Sequence, residues 1–228
     1  MNISTSVHNK IKSGLLIDDS VIIKNSLIVA SQLDAYLGDL KVVVKSNFSN
    51  SKDENNCQSM LHGLAWVATY VEALKQMSMW ADKLYKNHSF SRTEHIILTL
   101  SFNEYLNQLL GGIMMSQNEI IRPINLDKKK EAVGRLNTKE VLFFKDEVDV
   151  DQLRSEFIRL IIKNESTPFI GNDGLSEDQM IVRQEFHKFS KDKIEPYAHD
   201  WHLKDQLIPI NVIEELASLG VFGLTIPE

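Results

Sequence analysis

The amino-acid sequence predicts an all-α chain, and three observations carry that expectation. Apolar residues keep a helical period through roughly residues 18–45, 59–110 and 178–219. Capping and stop residues stand where those runs begin and end, as in Ser91-x-x-Glu94 and Gly220. The β-branched run Val42-Val43-Val44 is open to a strand reading but has no obvious partner strand nearby.

Residues 1–17 are polar and mixed, and read as a loose lead-in. Asp18, Asp19 and Ser20 then offer N-cap chemistry, and Val21, Ile22, Leu27, Ile28, Leu33, Leu37 and Leu40 continue a helical period. The stretch Ser46 to Ser59, rich in Asn, Ser and Asp, reads as a loop. Two long helices follow, over about Ser59–Lys86 and Ser91–Leu110. The first carries Leu61, Leu64, Ala65, Ala68, Val71 and Leu74, with Trp66, Tyr70, Met77 and Trp80 on a neighbouring face. So broad an apolar surface implies more than one partner helix. The join at residues 87–91 is short, which favours antiparallel packing. The second helix contributes Ile97, Leu98, Leu100, Phe102, Tyr105, Leu106, Leu109 and Leu110 before Gly111-Gly112 interrupts it.

Met114 to Ile121 is a short helical or extended piece ending at Arg122-Pro123. Residues 127–148 are charged and weakly periodic and are expected to be a linker between a helical region, 18–126, and a second one, 149–228. Within the latter, a helix over about Asp149–Lys163 presents Val150, Leu153, Phe157, Leu160 and Ile161 on one face. The loop from Asn164 to Gly174 contains Gly171-Asn172-Asp173-Gly174, which lacks the preceding strand of a phosphate loop and reads as a turn.

The closing stretch is a pair of amphipathic helices. Val182, Phe186, Phe189 and Lys193 form the first stripe, and Ile194-Glu195-Pro196 is expected to stop it, because the residue before a proline is pushed out of the helical region. Tyr197 and Trp201 mark an elbow. The second helix begins near Ile208-Pro209, with proline in the first turn, buries Val212, Ile213, Leu216 and Leu219, and stops at Gly220.

Composition narrows the function. Apolar (43%) and charged (25%) contents are those of an ordinary globular protein. A formal charge of −6 argues against general nucleic-acid affinity, and Lys128-Lys129-Lys130 followed by Glu131 reads as a solvated linker. No stretch approaches the roughly 20 apolar residues of a membrane helix. The single cysteine, Cys57, lies in polar surroundings without a nearby histidine and reads as a surface thiol in a reducing compartment. With no signal or transit segment visible, the expectation is a soluble cytoplasmic protein with neither nucleic-acid nor membrane partners.

Metal and hydrolase motifs are missing from the sequence. The seven histidines include no His-Glu-x-x-His, and no Cys/His pair has ligand spacing. His199 and His202 flank Asp200-Trp201 and read as surface histidines. No serine stands in a Gly-x-Ser-x-Gly elbow. The most distinctive segment is Asn103 to Arg122, where a paired glycine ends an apolar helix and lets another backbone approach closely. On residue chemistry alone, a helix C-cap followed by a turn is the favoured reading.

From Val182-Arg183 through Phe186–Phe189, Ile194-Glu195-Pro196-Tyr197-Ala198, Trp201, Ile208-Pro209, the run Glu215 to Gly220, Gly223-Leu224 and Ile226-Pro227-Glu228, the chain resembles the opening of acyl-CoA dehydrogenases. The segment around Glu104-Tyr105-Leu106, Gln108-Leu109, Gly111-Gly112-Ile113, Met115-Ser116-Gln117, Glu119-Ile120 and Arg122 resembles the extended N-terminus of the 2-methylsuccinyl-CoA dehydrogenase branch. It departs from that pattern at Met114, where a proline is expected.

The resemblance implies a helical N-terminal extension, then the first helices of an acyl-CoA dehydrogenase N-terminal domain, truncated. It also implies an FAD-dependent enzyme in which a carboxylate takes the acyl α-proton while flavin accepts hydride from the β-carbon. The catalytic base and the main flavin and thioester contacts are expected beyond Glu228, so no catalytic residue and no metal ligand is assigned here. Gln108, Gly111 and Gly112 echo a Gln-x-x-Gly-Gly element that contacts flavin across a subunit interface in the family, and they are the candidate cofactor-binding residues. An acyl-CoA substrate, an electron-transfer flavoprotein and a homo-oligomer are the partners implied for the complete enzyme. The competing expectation is a non-catalytic helical interaction module.

Overall fold

The computed structural model describes residues 17–50, 54–163 and 171–223, the side chains of 48–50 and 54–57 excepted. The expectations for the lead-in, for the Cys57 side chain and for Ile226-Pro227-Glu228 lie outside the described residues. The chain divides between Gly174 and Leu175 into two compact units.

The first unit is built on α1 (Asp19–Asn50), α2 (Glu54–Lys86) and α3 (Arg92–Gly111). Along α1, Ile22, Ser26, Val29, Leu33, Tyr36, Leu40 and Val44 are buried at three- and four-residue steps, the seam of a helix packed lengthwise on others. Val42-Val43-Val44 is therefore helical: Val44 continues the seam and Val42 is exposed. Residues 46–50 and 54–59 are helical too, where a loop was expected. Their polar side chains suit the solvent face of long helices as well as they suit a loop.

On α2 the buried seam is Gly63, Val67, Val71, Leu74, Ser78, Ala81 and Leu84, while Leu61 and Ala65 point outward. Among its larger residues the seam places the small Gly63, Ser78 and Ala81, where neighbours approach closely. A methyl placed on Gly63 would lie 2.4 Å from Ile121 Cγ1. Contacts of α2 with the join and with α3 run in opposite directions along the two segments. Trp80 meets Phe90 at 6.5 Å and Tyr70 meets Tyr105 at 4.6 Å between ring centroids, as antiparallel packing requires. Lys75 ties α2 to α1 through Asp34 at 3.3 Å.

After α3 come a two-residue hairpin, β1 (Ile113–Met114) with β2 (Ile120–Ile121), and a short helix, α4 (Pro123–Leu126). The Met114–Ile121 piece is thus extended at both ends. A 3-10 turn (Val133–Leu136), α5 (Lys139–Leu142) and a π-helical turn (Phe143–Glu147) follow, then α6 (Val150–Lys163).

Residues 127–148, expected to be a linker, instead supply Ala132, Leu136, Val141, Phe143, Phe144 and Val148 to the core. Phe144 stacks 4.7 Å from Phe102. Asp127, almost fully buried, organises the turn by accepting from the amides of Lys129 (3.0 Å) and Ala132 (2.9 Å). Arg135 pairs with Asp39, and Thr138 Oγ1 donates to Gln32 at 3.0 Å. The segment's apolar residues are spaced irregularly because it changes helix type twice, so no single period shows.

The second unit contains α7 (Glu177–Phe189), a π-helical turn (Ser190–Ile194), α8 (Glu195–Leu203), α9 (Ile210–Ser218) and a 3-10 turn (Val221–Gly223). Ser176 caps α7 in a capping box with Gln179. The helix does not stop at Ile194-Glu195-Pro196: Glu195 keeps helical angles (φ −53°, ψ −42°). The widened π turn absorbs the break, and Pro196 falls in the first turn of α8, where no N–H is needed.

Pro209 is the N-cap of α9 rather than part of its first turn. Gly220 has φ +77°, the left-handed stop expected of it. Val212 is buried, but Ile213 and Leu219 are exposed and Leu216 is half-buried, since two helices and a turn offer little to cover a whole stripe. Lys193 bridges to Glu215 at 3.0 Å, and Tyr197 stacks on Trp201 at 5.9 Å.

Candidate functional site

The sequence directs attention to the end of α3. Gly112 ends the helix: its N–H donates to the Gln108 carbonyl at 2.8 Å, and its φ of +144° with ψ of 132° is open to glycine alone. A methyl there would lie 3.0 Å from Ile120 Cγ2 and 3.1 Å from Arg122 Cγ, because the hairpin folds back across the glycine. Gly111, one residue earlier, is exposed, and a methyl on it would meet nothing within 4 Å. The close backbone approach expected of the pair therefore belongs to Gly112, and the approaching segment is the chain's own β2.

Gln108 is held at both ends of its amide. Its Oε1 accepts from Tyr70 Oη at 2.7 Å, and its Nε2 donates to Glu104 Oε1 at 2.8 Å. Burial, followed by the nearby Tyr105 and Glu104, raises the Tyr70 hydroxyl above its ordinary value, so it stays a donor. The surrounding surface is aromatic. His62, Trp66, Tyr70 and Tyr105 meet edge to face in succession, and Trp66 Nε1 donates to His62 Nε2 at 2.9 Å. Glu119, from the hairpin tip, reaches Ser59 Oγ (3.1 Å) and His62 Nδ1 (3.5 Å).

A second cluster, at the other end of α3, holds residues that the sequence reading did not single out as functional. Ser91 and Glu94 form the expected capping box. Arg92 is bound in a bidentate pair to Glu156 of α6, at 2.9 and 2.7 Å. Buried His95 places Nδ1 2.6 Å from Asp19 Oδ1. Burial lowers the His95 pKa, against the pull of Asp19, so the neutral ring donating Nδ1–H is favoured. Arg92 holds the Glu156 carboxyl below its ordinary value. Further along the face, buried Asn103 Nδ2 donates to the carbonyls of Phe144 (2.9 Å) and Lys145 (3.2 Å). The signal was present in the sequence: His95, Thr99 and Asn103 recur at i, i+4 and i+8, among the apolar residues of the helix's buried face.

His199 and His202 lie on α8 with both side chains exposed. Among the described residues, no group of three His, Cys, Asp or Glu side chains is arranged to hold a metal ion. No described helix is long and apolar enough to cross a membrane.

Comparison with known proteins gives the class first. Residues 176–228 match the family model described as the acyl-CoA dehydrogenase N-terminal domain. The match begins one residue after the second unit does. The chain is also 39% identical over 183 residues to the (2S)-methylsuccinyl-CoA dehydrogenase of Cereibacter sphaeroides, covering 78% of this chain and 32% of that protein. The chain thus spans about a third of the length of that relative.

The family uses FAD. At the end of α3 the Gln108 amide is engaged by Tyr70 and Glu104, a methyl on Gly112 would meet Ile120 and Arg122, and one on Gly111 would meet nothing within 4 Å.

Proposed function

We propose that the chain is the N-terminal portion of an FAD-dependent acyl-CoA dehydrogenase of the methylsuccinyl-CoA type, catalysing α,β-dehydrogenation of an acyl-CoA thioester. The observation that carries this reading is the length of the alignment: 183 residues far exceed the 176–228 segment of the family model, so the likeness extends well into the helical unit. By itself the polypeptide, which spans about a third of the relative's length, neither reduces flavin nor turns over an acyl-CoA. Gln108 and Gly112 lock the helix-to-hairpin junction, and the flavin is held by other residues. In the complete, cytoplasmic, homo-oligomeric enzyme, electrons pass on to an electron-transfer flavoprotein.

A domain exchange tests the reading. Replacing the matching N-terminal third of the relative with this chain should give a flavin-loaded protein that still oxidises methylsuccinyl-CoA. A folded, flavin-loaded chimera without that activity overturns the assignment. A purified 228-residue chain that binds flavin stoichiometrically and oxidises an acyl-CoA overturns the claim that it is inactive alone.

A further inference from the structure

The Gly171-Asn172-Asp173-Gly174 turn has no part in the function proposed above, yet it is fastened to the helical unit on both sides. The Asn172 amide donates to Glu94 Oε1 at 2.5 Å, and the Asn172 carbonyl accepts from Trp80 Nε1 at 2.9 Å. Lys83 Nζ donates to the Gly174 carbonyl at 2.6 Å, and Asn172 Oδ1 accepts from the Gly174 amide at 2.9 Å. The two glycines are needed where they stand. Gly171 (φ +88°) lies so close to Glu94 that a methyl would be 2.8 Å from Oε1, and Gly174 (φ +69°) packs 3.3 Å from Trp80 Cδ1 by the same measure. Glu94 itself is 1% exposed, and its second oxygen accepts from the Ser91 amide (2.8 Å) and from Ser91 Oγ.

We propose that Glu94 is a latch: one carboxylate closes the first turn of α3 and fastens the Gly171–Gly174 strap, fixing the point from which the chain leaves the helical unit toward Leu175. The strap leads directly into Leu175, where the second unit begins. Its strength depends on charge, because an ionised carboxylate accepts several N–H and O–H donors at once and a protonated one does not. The ionisable groups around it are Arg92, paired with Glu156 of α6; His95, paired with Asp19 of α1; Lys83 of α2, which holds the strap itself; and Asp173 of the strap. Burial alone would raise the Glu94 pKa, but the bonds from Ser91 Oγ, the Asn172 amide, its own amide and the Ser91 amide outweigh burial and hold it below the ordinary value. Acid is therefore the signal that opens the latch.

Amide hydrogen exchange on the 228-residue chain, read at Asn172 and at the core residue Leu106, tests the proposal. Glu94→Gln should lower Asn172 protection about tenfold or more at neutral pH while leaving Leu106 unchanged. In the unmodified chain, Asn172 protection should fall as pH drops below the carboxylate range, and the variant should show no such fall. Equal Asn172 protection in both proteins, or an equal loss at Leu106, overturns the latch. If Glu94→Gln does not fold, the Trp80→Phe, Lys83→Met double variant leaves the α3 cap intact and removes only the strap's outer donors. It should cost the Gly174 amide severalfold in protection, and unchanged protection there refutes the strap.

Discussion

The glycine pair at the end of α3 gives the sharpest test of the packing, because two adjacent residues of one type are expected to respond in opposite directions. In Gly112→Ala the new methyl enters a conformation, φ +144° and ψ 132°, that L-residues adopt only under strain of about 1–3 kcal/mol. It also meets Ile120 Cγ2 at 3.0 Å and Arg122 Cγ at 3.1 Å. Arg122 is exposed and can swing away, but the Ile120 backbone is fixed by its pairing with Met114. With part of that contact retained, the loss comes to roughly 2–4 kcal/mol. In Gly111→Ala the methyl meets nothing within 4 Å, and alanine in place of glycine at the end of a helix gains about 0.5–1 kcal/mol. Urea unfolding followed by circular dichroism should show Gly112→Ala with a clearly lower midpoint and Gly111→Ala at or above the parent. The reasoning fails if Gly112→Ala matches the parent, or if Gly111→Ala is the more damaging of the two.

Other consequences follow from the buried polar groups. Replacing Asn103 with Ala strips the Phe144 and Lys145 carbonyls of their donor and should cost about 1–3 kcal/mol in the same assay, with Asn103→Asp no better, since a carboxylate cannot donate. Tyr36 Oη is the buried side-chain polar atom left without a partner among the described residues; burial, then Asp127, pushes its pKa up to about 12. Tyr36→Phe should therefore raise stability by about 1 kcal/mol.

Stability should also fall in two steps on acidification. His95 is lowered from 6.5 by burial, so below pH 6.5 the unfolded chain takes up the proton first and stability declines until the folded value is passed. Glu94 is lowered from 4.5, so its contribution is complete above that pH and lost as pH falls through the folded value. Thermal melts across pH should show a smaller second step in Glu94→Gln, with the share of Arg92-paired Glu156, also lowered from 4.5, remaining.

Local chemistry made some elements legible in the sequence. The Ser91/Glu94 capping box starts α3, Gly220 ends the last helix pair, and the apolar period from residue 18 onward gives α1. Those features act within one or two turns of chain, and nothing distant is needed to read them. The family resemblance of the closing segment was legible for a related reason, because an ordered set of short motifs survives in sequence whatever the tertiary contacts are.

What the tertiary structure decided concerns partners far apart in the chain. Residues 127–148 look like a charged linker until Phe144 is seen against Phe102. Buried Glu94, His95 and Asn103 have their partners at Asn172, Asp19 and Phe144. Gly112 was read as a place where some backbone comes close, and only the fold shows that the backbone is β2 of the same chain. Hydrophobic periodicity reports which face of a helix avoids water. A buried polar group is stable only once a specific distant donor or acceptor satisfies it, and no local pattern names that partner.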